Sequence, residues 1–566
     1  MGTAEPAFYR AYGGSFVSWG GTARSTDPAE LAAFVKRAVT PARAAGMRYS
    51  TGLAFRTAFA GMIDYEPQFL DSVTRDLDGQ PIKVPWLWDH QHKGHPAYWF
   101  CTNAPGYRRY LRWQAERAAV RDAAGKAAEG LHIDDYNGTA GCPGGCFCPS
   151  CMTAFTAWLR AAAGPAEVQA AGVTTLDGFS YAAWLKAKGI TAETVRTKRW
   201  TVPLNDLYQT FQLCAARDFV AEIRRYSEQL RSGPVLLSVN SSATSADHLV
   251  IAPVIDYFCG EVDHHAARDK VPDEPVFVAR MADALGKGAA WTASGWDWAY
   301  VYEKQRPGLV RTWIAQSYAA GHSLMACASQ WCYTKEKGTH WYRPKVEEYS
   351  GLYRFVRDRR ELFDGYEAAD GGLALVYSNP AFRRWRRGVI DAAGWLTRLN
   401  RPFRLVLAGD DWLAARLTAD NLRGWRAVLV QEPTHLTGEQ AQVLAGLGAR
   451  ALALPDKPDA ATLDKARRQL DALCPPPLTV TGAHDVVVMP RRKDGAPLVL
   501  HLLNRNYDPA TDACTPQTGF QVKLSAWPAR RATLYAPGEP PRALTVTDHT
   551  ITVDRLNLWA VVTVEA

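Results

Sequence analysis

The chain has 566 residues, more than one hydrophobic core normally supports, so several domains, or one large domain with appendages, are expected. Its 47% hydrophobic and 22% charged residues are those of a globular protein, and no apolar run reaches the roughly 18 residues of a membrane span. The net charge of +8 is small against 65 basic and 57 acidic residues, and no Lys/Arg block interleaved with aromatics suggests a nucleic-acid groove. Neither nucleic acid nor a membrane is therefore expected as a partner. The opening MGTAEPAFYRAY shows no basic segment followed by an apolar one, so no secretory signal is visible; a signal already removed would leave the same sequence.

From about residue 8 to residue 360 short apolar runs alternate with helical stretches, the pattern of a parallel α/β fold. AFYRAYGGSF, GMRYSTGLAF, GLHIDDY, PVLLSVNSS, VIDYFCGEV, AAWTASGWDW and HSLMACASQW read as strands. YRRYLRWQAERAAVRDAAG, LYQTFQLCAARDFVAEIRRYSEQL and PGLVRTWIAQSYAAG place apolar residues three and four apart and read as amphipathic helices. Seven clear strands and one obscure one, expected near Gln91 to Phe100, fit a (β/α)8 TIM barrel over residues 1–365. Residues 366–475 follow with GLALVYSN, FRLVLAGD, RAVLVQEP and ARALALP separated by helices, an open α/β (flavodoxin-like) domain without a Gly-rich phosphate loop. The stretch CPPPLTV then acts as a stiff linker to residues 476–566, where DVVVMP, PLVLHLLNR, FQVKLSA, RATLYAP and ITVDRLNLWAVVTVEA alternate as an antiparallel β-sandwich.

Five of the 11 cysteines lie between Cys101 and Cys151, four of them in the spacing Cys142-x3-Cys146-x-Cys148-x2-Cys151. Such density in a chain otherwise sparse in cysteine favours a metal over a disulfide framework. Tight C-x-C and C-x2-C spacings let backbone turns present several thiolates to one tetrahedral zinc ion, and a four-sulfur site is closed to substrate. Five cysteines compete for four places, so Cys142 or Cys101 is left out.

CFCPSCMTAFTAWL resembles the C-x-C-x2-C segment and aromatic-rich helix that follow the fourth barrel strand in glycoside hydrolase family 42 β-galactosidases, and CTNAPGYR resembles that family's upstream C-x-N-x-P-x-[FY]-R segment. The resemblance implies Cys101, Cys146, Cys148 and Cys151 as ligands of a structural zinc, with Cys142 spare. The order barrel, α/β domain, β-sandwich also resembles the family, and implies a homo-oligomer, a trimer built by the middle domain. The chain departs from the family at the catalytic positions. Ile133-Asp134-Asp135-Tyr136 stands where the family ends its fourth strand in Asn-Glu, and SGWDW stands where it supplies a nucleophilic glutamate.

Glycoside cleavage needs two carboxyl groups flanking the bond. The candidates at strand ends are Asp134, Asp135, Glu261 and Asp297. Neighbouring side chains on an ideal strand point to opposite faces, so only one of Asp134 and Asp135 is expected to be central to the pocket, with the other a hydrogen-bonding neighbour. Barrels of the α-fucosidase and α-galactosidase type use a strand-four aspartate as nucleophile, and those of the α-galactosidase type take the acid/base from strand six. Asp135 is accordingly expected as nucleophile and Glu261, in CGEVDHH, as general acid/base in a retaining mechanism. Asp134, Asn240 and Asp297 are expected to take sugar hydroxyls, and Trp296, Trp298 and Trp331 to stack on sugar rings. The expected function is a glycosidase acting on an oligo- or polysaccharide, with galactosides or fucosides among the candidate substrates. The competing reading is a carbohydrate-binding protein on an inactive hydrolase barrel.

Overall fold

The computed structural model describes residues 6–54, 59–134, 136, 144–162 and 165–566. Its first part is built on parallel strands in chain order. Phe16–Val17 pairs with Arg48–Ala54, which pairs with Gly130–Asp134, which pairs with Leu236–Val239. A parallel bridge from Asn240 to Cys259 carries the series on to Tyr257–Val262, Gly288–Ala293 and Ser323–Leu324. The two ends of the series come together. Ser18, directly after the first strand, has its Oγ 3.4 Å from the Sδ of Met325, directly after the last.

The obscure strand expected near Gln91 to Phe100 is not part of this series. Lys93 and Gly94 take left-handed conformations (φ 49° and 78°), so Gln91–His92 turns straight back onto His95–Pro96 as a two-residue hairpin. Arg48–Ala54 therefore meets Gly130–Asp134 directly. Counted along the series, Asp134 ends the third strand rather than the fourth, and Glu261 lies on the fifth rather than the sixth.

The strands are buried along nearly their whole length, as a sheet covered by helices requires. The long helix Asn205–Arg231 ends in a buried arginine that caps the N-terminal end of the series. Arg231 donates to the carbonyls of Ala128, Gly130 and Ala118 and to Thr51 Oγ1, at 2.7 to 3.0 Å. Four oxygen acceptors replace the water this cation loses, and burial still lowers its pKa to about 10.

Four parallel strands in the order Arg404–Ala408, Leu373–Ser378, Ala427–Gln431, Ala451–Leu454 form the next layer. Its helix Gly388–Arg398 packs on helix Glu274–Ala284 of the first part, with Arg398 and Asp273 paired across the contact. The last segment is one nine-stranded antiparallel sheet, curled over a core that includes Val488, Leu502, Phe520, Val522, Val553 and Val562. Glu367–Ala368 joins that sheet at its edge. A single apolar cluster runs from Tyr12 through Tyr377 to Val561 and binds all three parts together. Among the described residues no helix is long and apolar enough to cross a membrane.

Candidate active site and cysteine centre

Side chains alternate along Gly130–Asp134, so His132 and Asp134 share a face. His132 is buried, its Nδ1 is 2.9 Å from Ser238 Oγ, and its ring lies 4.3 Å from that of Trp19. Burial pulls its pKa down to about 3, so the imidazole is neutral at physiological pH, and its Nε2 has no hydrogen-bond partner. Two residues on, half-buried Asp134 accepts a 2.9 Å hydrogen bond from Asn240 Nδ2. Asn240 is itself placed by its backbone, whose N–H donates to Ile133 O at 2.8 Å.

The next strand adds Glu261. Burial pushes the Cys259 thiol up to about 12, and the charge of Asp134 contributes in the same direction. Cys259 and Glu261 are two apart and share a face, and Glu261 is half-buried. Between them Gly260 allows a close approach: a Cβ there would sit 2.6 Å from the backbone of Ser241. Asp134, Asn240 and Glu261 thus stand at the C-terminal ends of three successive strands, where such series carry their functional residues. Asp135 lies outside the described residues. Its neighbour Tyr136 is buried, and its hydroxyl donates to Asp247 O at 3.4 Å.

Two expected sugar ligands have other work. Asp297 is 3% exposed, and both its carboxylate oxygens are taken. Oδ1 accepts from Ala266 N (2.7 Å), and Oδ2 from His264 N (2.8 Å), Ser294 Oγ (2.7 Å) and Ser294 N (3.2 Å). It completes a capping box on helix Gly295–Lys304 and ties down the loop that follows Glu261. Trp298, 1% exposed, donates from Nε1 to Thr292 Oγ1 at 2.9 Å and packs on Trp313. Both residues serve the fold because Ser294 starts a helix here, where the sequence reading continued the strand.

Trp296 and Trp331 are placed differently. Trp296 is 54% exposed and meets Tyr333 at 5.0 Å, and Trp331 lies 6.0 Å from the same ring. Trp331 is held flat against Gly295, where a Cβ would come within 2.3 Å of its ring. It pairs in register with the partly exposed Trp341 on the hairpin Gln330–Thr334/Gly338–Tyr342. These aromatics follow the C-terminal ends of the last two strands of the series.

The sulfur atoms of Cys101, Cys146, Cys148 and Cys151 lie within 4.8 Å of one another, all buried. Cys101 Sγ is 3.4 Å from Cys151 Sγ and 3.5 Å from Cys148 Sγ. Four sulfurs at about 2.3 Å from a tetrahedral ion stand about 3.8 Å apart, so the cluster has the dimensions of a metal site. Asn103 adds N–H···S contacts from its backbone to Cys101 and from Nδ2 to Cys151, both 3.4 Å, the kind of donor that supports thiolate ligands. Hydrogen bonding to the neighbouring sulfurs holds Cys101 and Cys151 well above the usual thiol range and pulls Cys148 down. Cys142 lies outside the described residues. The cluster also joins distant segments, since the Tyr208 hydroxyl donates to Cys146 O and Cys101 N donates to Ser72 O.

The beta-galactosidase profile of glycoside hydrolase family 42 matches residues 89–340, a span that includes the cysteine cluster, Asp134, Asn240 and Glu261. Over that span the chain is similar to glycoside hydrolase family 42. An α-agarase of Thalassotalea agarivorans is 20% identical over 558 residues, which cover 93% of this chain and 36% of that protein. The chain thus spans little more than a third of the length of this relative. Among solved structures, the α-L-fucosidase isoenzyme 2 of Paenibacillus thiaminolyticus superposes with a TM-score of 0.62 at 12% identity, covering 99% of this chain and 95% of its own. The β-galactosidase of the psychrophilic Marinomonas ef1 superposes with a TM-score of 0.57, also at 12% identity, covering 99% and 97%. The chain thus shares its fold with these two structures over nearly its whole length.

Two features of the site escaped the sequence reading. His132 carried a signal, its even spacing from Asp134 on a strand. The capping role of Asp297 carried one too, in the Ser-x-x-Asp spacing of Ser294 and Asp297.

Proposed function

We propose that the chain is a glycosidase that cleaves a galactose-containing oligo- or polysaccharide at the C-terminal mouth of a closed (β/α) barrel, with residues 366–475 and 476–566 as separate domains behind it. The observation that carries this reading is the convergence of Asp134, Asn240 and Glu261 on one end of three successive strands, within the segment that matches the family profile. The substrate class follows from the relatives, a β-galactosidase family and an α-agarase.

Asp135 attacks the anomeric carbon while Glu261 protonates the departing glycosidic oxygen. Glu261 then takes a proton from the water that displaces the sugar from Asp135, restoring both carboxyl groups. Asp134, oriented by Asn240, takes a hydroxyl of the bound sugar. The four cysteines would hold a structural zinc, which would supply fold stability and take no part in the chemistry.

Kinetics on aryl galactosides and agarose oligosaccharides test the assignment. Asp135→Asn is expected to lower kcat by several orders of magnitude with folding intact, and azide should restore turnover to Glu261→Ala. Near-normal turnover by Asp135→Asn would overturn the assignment of the nucleophile. Binding of the sugars with no hydrolysis by the wild type would replace the enzyme with a carbohydrate-binding protein.

A further inference from the structure

Helix Asn379–Arg383 in the α/β layer ends in a double hydrogen bond, from Trp385 N to Phe382 O and from Arg386 N to Ala381 O. That pairing demands a left-handed residue at Trp385, which has φ 60°. Glycine fills this position by preference because it has no Cβ to clash, and tryptophan is a poor substitute. Burial does not compensate, for Trp385 is 69% exposed and its ring makes no aromatic or cation–π contact with described residues. Neither the turn nor the core accounts for this side chain.

Its surroundings hold it still. Arg383 pairs with Asp410 at 3.0 Å, Arg386 with Asp456 at 3.0 Å and Arg387 with Glu274 at 2.6 Å. Arg387 also reaches the carbonyl of Thr244 at 3.4 Å. Both partners of Arg387 lead to the candidate active site. Thr244 lies four residues after Asn240, on the loop whose Asp247 and His248 touch Tyr136. Glu274 contacts His265, four residues after Glu261. Trp385 is therefore an exposed indole on a rigid base at the seam where the α/β layer meets the loops following Asn240 and Glu261.

We propose that Trp385 is a sugar-stacking residue supplied by the α/β layer, which holds an extended carbohydrate chain beyond the cleaved bond. The proposal rests on the glycosidase reading above and extends it, assigning to the second layer a share in selecting long substrates. An indole face suits the C–H faces of a sugar ring, and the contacts of Arg387 with Thr244 and Glu274, which tie this turn to the segments following Asn240 and Glu261, favour carbohydrate as the occupant.

The test compares wild type, Trp385→Gly and Trp385→Tyr on agarose-derived disaccharide and octasaccharide. Glycine suits φ 60°, so Trp385→Gly is expected to melt no lower than wild type, which separates a binding defect from a folding one. The kcat/KM ratio of octasaccharide to disaccharide should fall about tenfold in Trp385→Gly and largely return in Trp385→Tyr. An unchanged ratio overturns the proposal. So does a change in particle mass by light scattering in Trp385→Gly, which would make this residue a contact between copies of the chain. Failure of the wild type to bind or cleave either sugar would instead defeat the underlying substrate reading, and the proposal with it.

Discussion

Replacing Asp297 by alanine separates a fold-holding carboxylate from a sugar ligand. The substitution removes the acceptors of His264 N, Ala266 N, Ser294 N and Ser294 Oγ at once. His264 and Ala266 are buried, and each orphaned N–H costs about 1 to 3 kcal/mol because no water reaches it. Loss of the helix cap adds about 1 kcal/mol, for a total of about 3 to 7 kcal/mol when little relaxes. Asp297→Asn should recover less than half of this, since its amide would turn a donor toward the N–H groups of His264 and Ser294. Thermal melting should fall by several degrees in Asp297→Ala, and activity should drop because the loop behind Glu261 loosens. A variant that melts like the wild type but binds oligosaccharide weakly would refute this reasoning and return Asp297 to the pocket.

Mass-spectrometric metal analysis of protein purified without chelator should find about one zinc per chain, and Cys148→Ser should lower both metal content and melting temperature. Unchanged melting in Cys148→Ser would remove the structural role. His132 has a pKa of about 3 in the fold against an ordinary 6.5, so the unfolded chain takes up its proton first and stability is lost as pH falls from 6.5 toward 3. His132→Gln should flatten that acid limb in urea unfolding curves measured between pH 7 and about 4, and an identical slope in both proteins would count against a buried neutral imidazole.

Much of the architecture was legible because its signals are local. Buried parallel strands are short unbroken apolar runs, and six of the seven clear runs of the first part contribute strands to the series, as do the four of the α/β layer. AFYRAYGGSF, in contrast, is helical over Pro6–Tyr12 and reaches the series only at Phe16, because its apolar residues Phe8 and Tyr12 fall four apart on one helix face. The eighth was looked for where the series would otherwise be short. There, Lys93-Gly94 supplied a turn instead, and a two-residue hairpin leaves too few residues to cross between parallel neighbours. The counting of strands failed for the same reason, since register along a series depends on which strands meet, and no single run of residues encodes that.

The site divides along a similar line. The cysteines were legible as a cluster because three of the four sit within six residues and the fourth lies in a recognisable segment. Asp134, Asn240 and Glu261 were legible as strand ends, because a polar residue closing an apolar run in such a fold points to one face. Asp297 and Trp298 follow an equally apolar run, yet Ser294 ends the strand and begins a helix, and within one turn the carboxylate is pointing back at its own cap. A strand end and a helix start share the same few residues. The polar side chain there reaches the pocket only if the backbone has no unsatisfied N–H nearer to hand, and at Asp297 there were three.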